Sequence, residues 1–412
     1  RVRKPYYIML ISDGCPDSSA FQYFEVLERN QEKPAVLVLG GTKFMGKAFV
    51  EMMLDRARVC TVNRGKTYWA APDPFAGKAA RITVDRDKGE AFAIHLREAT
   101  RRLGGKWDSV VDFSGFCGDD LHASLQGLDG AFKLYVYISS DSVYEVSSWA
   151  YEKWKPRKRE DQSYETFVSE DAAVRPPNQE QQEIVNNNDS YGHEKLQGEE
   201  VLLKELPAGR QCFILRLPDV IGPYDSTHRL CAYWHWLRAG EVGAPPPQVQ
   251  SYKRKRKTWD ANGDEVAQAS GDARLAVVYS LDVAKFLFRL VTEIIPAKDV
   301  EVLNLCCDEQ LQLSEFLEHL FAASGGNRKR PRLAPDKNPK VYLPSVDRPW
   351  PLSCERSKQV YGFKPMPLDK VIRICVDFFE ESCDKFPEEA KKAAMKLPTE
   401  PAATALKILG HS

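Results

Sequence analysis

No apolar run in this chain approaches the roughly 18 to 20 residues that cross a bilayer; the longest candidates, such as Tyr6 to Ile11, are far shorter. A membrane-spanning role is excluded on that basis. Ten cysteines include no C-x-x-C, and seven histidines include no H-E-x-x-H; His228 and His235 stand too far apart for one helical turn. These spacings argue against a metal site and read as reduced thiols. Neither charge sign dominates, with 58 basic and 58 acidic side chains, so no global field favours nucleic acid or an anionic surface. With 43% hydrophobic and 28% charged residues, 25 Gly and 26 Pro, the chain is neither disordered, collagenous nor repeat-built. Its 412 residues suffice for two or three domains, or for one large α/β unit with a smaller companion. Reduced thiols place it in the cytoplasm or an organelle matrix or stroma, mitochondrial or plastid, and not among secreted proteins. The opening Arg1, without methionine, accords with a removed targeting segment or with a trimmed chain.

What is present becomes legible at Pro34. The first 33 residues, turn-rich around Asp13-Gly14-Cys15-Pro16, read as an extension. Ala35 to Leu39 is an unbroken apolar run of strand length, as a parallel strand covered on both faces requires. It enters Gly40-Gly41-Thr42-Lys43-Phe44-Met45-Gly46, after which apolar residues at 44, 45, 48, 49, 52 and 53 mark an amphipathic helix. Strand, glycine turn and helix in that order make a phosphate site, because glycine admits the pyrophosphate to the backbone and the helix N-terminus offers free N–H groups. Strand-like runs recur at 59–62, 81–84, 109–111, 134–138 and 212–217 with helical stretches between. The fold predicted is α/β, a Rossmann-type doubly wound parallel sheet with a smaller C-terminal α/β lobe.

At the end of the second strand, a bound NAD usually meets an acidic residue that holds the ribose 2′-hydroxyl. Here Asn63 stands there, followed by Arg64 and Lys66, a set better suited to a 2′-phosphate. NADP is therefore preferred to NAD, although Arg64 and Lys66 would equally suit a solvated turn. Downstream, Tyr191 and Lys195 lie four apart, on one face of a helix.

The G-x-x-K-x-x-G turn resembles that of the extended short-chain dehydrogenases/reductases, with Lys43 where the middle glycine normally stands. With Asn63-Arg64-Gly65 and Asp85-Arg86-Asp87 after the second and third strands, it is similar to the atypical NAD-dependent epimerase/dehydratase branch, which includes chloroplast stem-loop RNA-binding proteins. The resemblance covers about residues 35 to 379. Blocks in the expected order strengthen it: Ser139-Ser140-Asp141-Ser142-Val143-Tyr144, Tyr191-Gly192-His193-Glu194-Lys195 and Arg216-Leu217-Pro218-Asp219. It implies Ser140 as substrate-positioning residue, Tyr191 as acid/base and Lys195 as its activator. It also implies cofactor binding by Gly40, Gly41, Thr42, Lys43, Phe44, Met45, Gly46, Asn63, Arg64, Lys66, Asp85, Arg86, Lys195 and Pro218. A free phenol has a pKa near 10, so a lysine beside it would make it a usable base at neutral pH. Asp219 replaces the asparagine usual near a substrate diphosphate, and its carboxylate would repel that group.

The organisation expected is an extension over 1–33, the NAD(P)-binding domain over 34–243 with an inserted loop at 149–188, a basic insertion at 244–275, closing sheet elements and a substrate-binding lobe over 276–386, and a tail over 387–412. Lys253 to Lys257 is the densest run of one sign, with Arg328 to Arg332 second. The two readings carried forward are an NAD(P)-dependent enzyme acting on a small molecule, and a non-catalytic relative docking through 253–257 and 149–188 onto a protein or, less favoured, RNA. Solvated loops would show the same composition.

Overall fold

The computed structural model describes residues 18–66, 69, 74–154, 167–239, 258–259, 265–266, 274–325 and 351–396. The first strand, β1 (Phe21–Gln22), and helix α1 (Glu25–Glu28) precede β2 (Ala35–Leu39), α2 (Phe44–Met53), β3 (Arg58–Asn63), β4 (Ala80–Thr83) and α3 (Glu90–Leu103). Then come β5 (Trp107–Asp112), α4 (Gly118–Leu128), β6 (Phe132–Ser140), α5 (Ser148–Trp154), α6 (Gln179–Asn188), α7 (Ser190–Glu205), β7 (Gln211–Leu217), β8 (Asp219–Ile221) and α8 (Arg229–Ala239). The chain continues with β9 (Thr258–Trp259), β10 (Glu265–Val266), β11 (Arg274–Leu275), β12 (Val277–Tyr279), α9 (Ser280–Thr292), β13 (Val300–Asn304), β14 (Leu311–Gln312) and α10 (Leu313–Ala323). Helices α11 (Glu355–Gln359), α12 (Leu368–Lys385) and α13 (Pro387–Ala394) complete it.

Eight strands form one sheet in the order β1-β4-β3-β2-β5-β6-β7-β13, parallel except for β1. The order reverses between β2 and β5, so the crevice at their C-terminal ends is the switch point at which such sheets take ligands. Every residue of β2 is buried, with Val36 and Val38 facing α2 and α9 while Ala35, Leu37 and Leu39 face α3, α4 and α7. That two-sided cover explains the unbroken apolar run. A third core, with Trp234, Phe316, Val371, Ile372 and Cys375, joins α8, α10, α12 and α13 into the C-terminal lobe. Strand β8 pairs with β12 in parallel, carrying the chain from the sheet toward that lobe.

Two sequence expectations change. Within the expected extension, Phe21 pairs with Ile82 and Gln22 with Arg81 at the sheet edge, and Arg102 lies 4.1 Å over the Phe21 ring. The short pairing went unseen because two residues carry no period. The stretch 167–188 of the supposed inserted loop is packed structure, since Val168 bridges to Leu352, Glu170 is buried, and Arg175 holds Glu200. Helix α13, in the C-terminal tail, docks with Ala390, Ala393 and Ala394 buried. The basic runs 253–257 and 328–332 lie outside the described residues.

Candidate active site

Gly40 and Gly41 take φ of +92° and +77°, a conformation that costs other residues strain. A Cβ on Gly46 would come within 2.6 Å of the Gly41 Cα, so the helix start can approach the turn only with glycine there. Lys43 is the N-cap of α2 and is exposed; Thr42, Phe44 and Met45 are half-buried around it. The turn also abuts the next strand end: a Cβ on Gly40 would lie 3.3 Å from the Cβ of Phe113, whose N–H donates to Leu39 O at 2.9 Å.

At the end of β3, the Asn63 side-chain oxygen accepts the Gly65 N–H at 2.8 Å, while its Nδ2 is buried without a hydrogen-bond partner among the described residues. A buried amide donor left over beside a glycine turn is what a nucleotide-binding rim presents. The residues present therefore fit a dinucleotide. Arg64 and Lys66 are exposed on this turn. Sequence reasoning missed Arg81 of β4, whose Nη2 would lie 3.1 Å from a Cβ on Gly65.

Arg86 has another occupation. Its guanidinium forms a bidentate pair with Asp112 at 2.7 and 2.8 Å and donates to Ser114 Oγ, Asp120 O and Ser124 Oγ. It ties the ends of β4 and β5 to α4. Asp85 is engaged with the turn that follows, accepting from the Asp87 N–H at 3.3 Å. Pro218 is buried between β7 and β8.

The three catalytic candidates converge on the C-terminal end of β6. Ser140 is its last residue, and its hydroxyl oxygen accepts the Ser142 N–H at 3.2 Å. Tyr191 is on the first turn of α7, which Asp189 caps by accepting the Gly192 N–H at 2.9 Å. Burial holds the Tyr191 phenol above its ordinary pKa; the nearby Ser140 hydroxyl and the charge of Arg229 oppose this, while Asp141 and Asp189 add to it. Phe116, largely exposed, sets its ring edgewise to Tyr191 at 5.5 Å and was missed from the sequence.

Lys195 is buried, and its ammonium donates to Ile138 O at 2.6 Å, Gly115 O at 2.7 Å and Tyr137 Oη at 3.2 Å. Those bonds use its three donors. The charge thus bridges β6 to the turn flanking the glycine loop, and burial brings its pKa down to about 8. Its ammonium is thereby fixed one helical turn from Tyr191 along α7.

Beneath lies a buried network the sequence reading also missed. Glu199 accepts from Ser139 Oγ at 2.5 Å and from Arg216 Nη2 at 2.6 Å, while Tyr144 Oη donates to Asn304 Oδ1 at 2.6 Å and accepts from Arg216 Nη1 at 3.1 Å. Arg216 interrupting the apolar strand Cys212 to Leu217 was the available signal. Asp219 is paired with Arg229, so its carboxylate is compensated by a cation facing the same site. Among the described residues, no cluster of three potential metal ligands occurs, and no helix is long and apolar enough to cross a membrane.

The model of the NAD dependent epimerase/dehydratase family matches residues 36–306, and the chain belongs to that family. Among solved structures, the chain resembles the Bordetella bronchiseptica enzyme WbmH in complex with NAD+ (TM-score 0.55, 16% identity, covering 85% of this chain and 99% of that one). It also resembles UDP-glucose 4-epimerase of Thermotoga maritima with UDP-glucose (0.56, 15%, 84% and 99%). A third is UDP-glucuronic acid 4-epimerase of Bacillus cereus with UDP-glucuronic acid and NAD (0.54, 15%, 84% and 99%). At such identities the likeness shows the fold. No curated protein matches the chain.

Proposed function

We propose that the chain is an NAD(P)-dependent enzyme of the epimerase/dehydratase type that moves hydride at a hydroxyl-bearing or ketone carbon of a small, sugar-like molecule. The observation carrying this is the facing of the Ser140 hydroxyl and the Tyr191 phenol at the end of β6, with Lys195 seated between that strand and the turn beside the glycine loop. The dinucleotide would be held by Gly40, Gly41, Thr42, Lys43, Phe44, Met45 and Gly46 at its phosphates and by Asn63, Arg64 and Lys66 at its adenosine end, with Asp85, Lys195 and Pro218 completing the set. When bound, it supplies the hydride acceptor or donor. The protein residues handle the proton and the oxygen. Ser140 holds the substrate oxygen by hydrogen bond, and Tyr191 takes or returns the proton at that oxygen. The nearby Ser140 hydroxyl and the charge of Arg229 favour the phenolate against the penalty of burial, and Lys195 adds positive charge one turn further along α7.

NADP is favoured over NAD, because the rim carries Asn63 in place of a carboxylate and Arg64, Lys66 and Arg81 near one turn. The Asp219–Arg229 pair offsets the repulsion that the isolated carboxylate implied, which keeps a diphosphate-bearing substrate compatible with the site. The docking alternative rests on basic runs outside the described residues. A mass spectrum of the nucleotide retained by the native protein, followed by nicotinamide absorbance on mixing with nucleotide sugars, tests the proposal. Retention of neither NADP nor NAD, and no absorbance change, would oppose it.

A further inference from the structure

Cys306 and Cys354 are separated by 48 positions and come together in the interior. Cys306 follows β13 after one residue and is 1% exposed; Cys354 precedes α11 and is 4% exposed. Their Sγ atoms lie 2.7 Å apart, against about 2.05 Å in a disulfide. The two backbones are already held in register by other bonds. Gln310 Nε2 donates to Leu352 O and Leu352 N–H to Gln310 Oε1, both at 2.8 Å. Asn304 Nδ2 donates to Ser353 O at 3.0 Å, and Ser357 Oγ to Asn304 O at 2.8 Å. Closing a bond between the sulfurs therefore asks for little backbone movement. The neighbouring Cys307 belongs to a different core, packed with α12, and its N–H is bonded to Val277 O at 2.8 Å. Of the adjacent pair, Cys306 is the one in hydrogen-bond contact with a thiol.

We propose that Cys306 and Cys354 form a redox-active dithiol site that closes to an intramolecular disulfide, with a low-molecular-weight disulfide as oxidant. One protein thiolate attacks a sulfur of the oxidant, giving a mixed disulfide and expelling one thiolate. The second protein thiolate attacks the protein sulfur of that mixed disulfide, forming the 306–354 bond and expelling the other. The two cysteines together lose two electrons and two protons, and the oxidant becomes two thiols. Because both sulfurs are buried, the exchange waits on local opening of residues 351–354 and is slow. The bond would fix that segment to the end of β13, beside Asn304, whose Oδ1 accepts from Tyr144.

The test treats the full native chain with oxidised glutathione, and in a second arm with diamide, alkylates the remaining thiols and maps tryptic peptides. The expected product joins peptide 299–328 to peptide 341–356, is reversed by dithiothreitol, persists in Cys307→Ser and is absent from Cys354→Ser. The oxidised wild type should also melt at higher temperature than the reduced, a difference absent from Cys354→Ser and Cys354→Ala. Full alkylation of both cysteines after either oxidant, or a cross-link that Cys307→Ser abolishes, would overturn the proposal.

Discussion

Gly192 sits so close to the carbonyl oxygen of Ser142 that a Cβ built on it would lie 2.2 Å away. The first turn of α7 can thus approach the end of β6 only with glycine beside Tyr191. Gly192→Ala should force α7 outward, cost roughly 1–3 kcal/mol of stability as overpacking does, and separate Tyr191 from Ser140. Urea unfolding and hydride-transfer rates on one preparation check both parts. Unchanged stability with unchanged turnover would show that the approach is not needed.

The buried ammonium of Lys195 makes a second expectation. Burial lowers its pKa from the ordinary 10.5 to about 8 in the fold. Below about 8 the folded and unfolded chains both carry the proton, and the cost of burying the charge is fully present. Between about 8 and 10.5 the unfolded chain binds more protons than the folded one, so stability rises with pH through that window. Relative to Lys195→Met, the wild type should gain stability from pH 8 to 10. Denaturant midpoints for both proteins across that range provide the measurement, and a parallel pH response would contradict it.

Arg86 and Asp112 form a buried pair whose loss leaves an uncompensated charge. Arg86→Ala should cost roughly 3–5 kcal/mol, far beyond a surface substitution. Burial pushes the Asp112 carboxyl up, but Arg86 prevails and holds it below its ordinary 3.8. The contribution is therefore present above that value and lost as pH falls through the lower folded pKa. Equilibrium unfolding at neutral and acid pH measures it; a cost under about 1 kcal/mol, the range of an exposed pair, would contradict it.

Much of this architecture was legible because period and chemistry agree in the relevant segments. The unbroken Ala35 to Leu39 run, the glycine turn after it and the apolar strands beyond mark a parallel sheet without needing distant contacts. The residues of the Ser140 and Tyr191 blocks were likewise visible by their order. What escaped depends on pairings between remote positions: Phe21 with Ile82, Arg86 with Asp112, Glu199 with Arg216, Asp219 with Arg229. A charge read alone looks solvated or free to bind a ligand, and only its partner shows that it is committed to the fold. Arg86 is the instructive case, since it occupies a motif position and spends its guanidinium on Asp112.

The proposed 2′-phosphate preference rests on Arg64 with Lys66 and Arg81. Arg64→Ala should weaken NADP by roughly 1.5–3 kcal/mol, the scale of a charge-assisted hydrogen bond, and leave NAD nearly unchanged. Titration calorimetry with each dinucleotide decides it. Equal losses for both would remove Arg64 from the phosphate site.

The central claim is that Tyr191, positioned against Ser140, moves the proton that accompanies hydride transfer. The most direct measurement compares wild type and Tyr191→Phe for dinucleotide affinity and for reduction of nicotinamide in a single turnover with a panel of nucleotide sugars and secondary alcohols. The account predicts matched affinity and a hydride-transfer rate lower by roughly 10²–10⁴-fold in the variant, because only the transferable proton is deleted. Hydride transfer by Tyr191→Phe at the wild-type rate would contradict it.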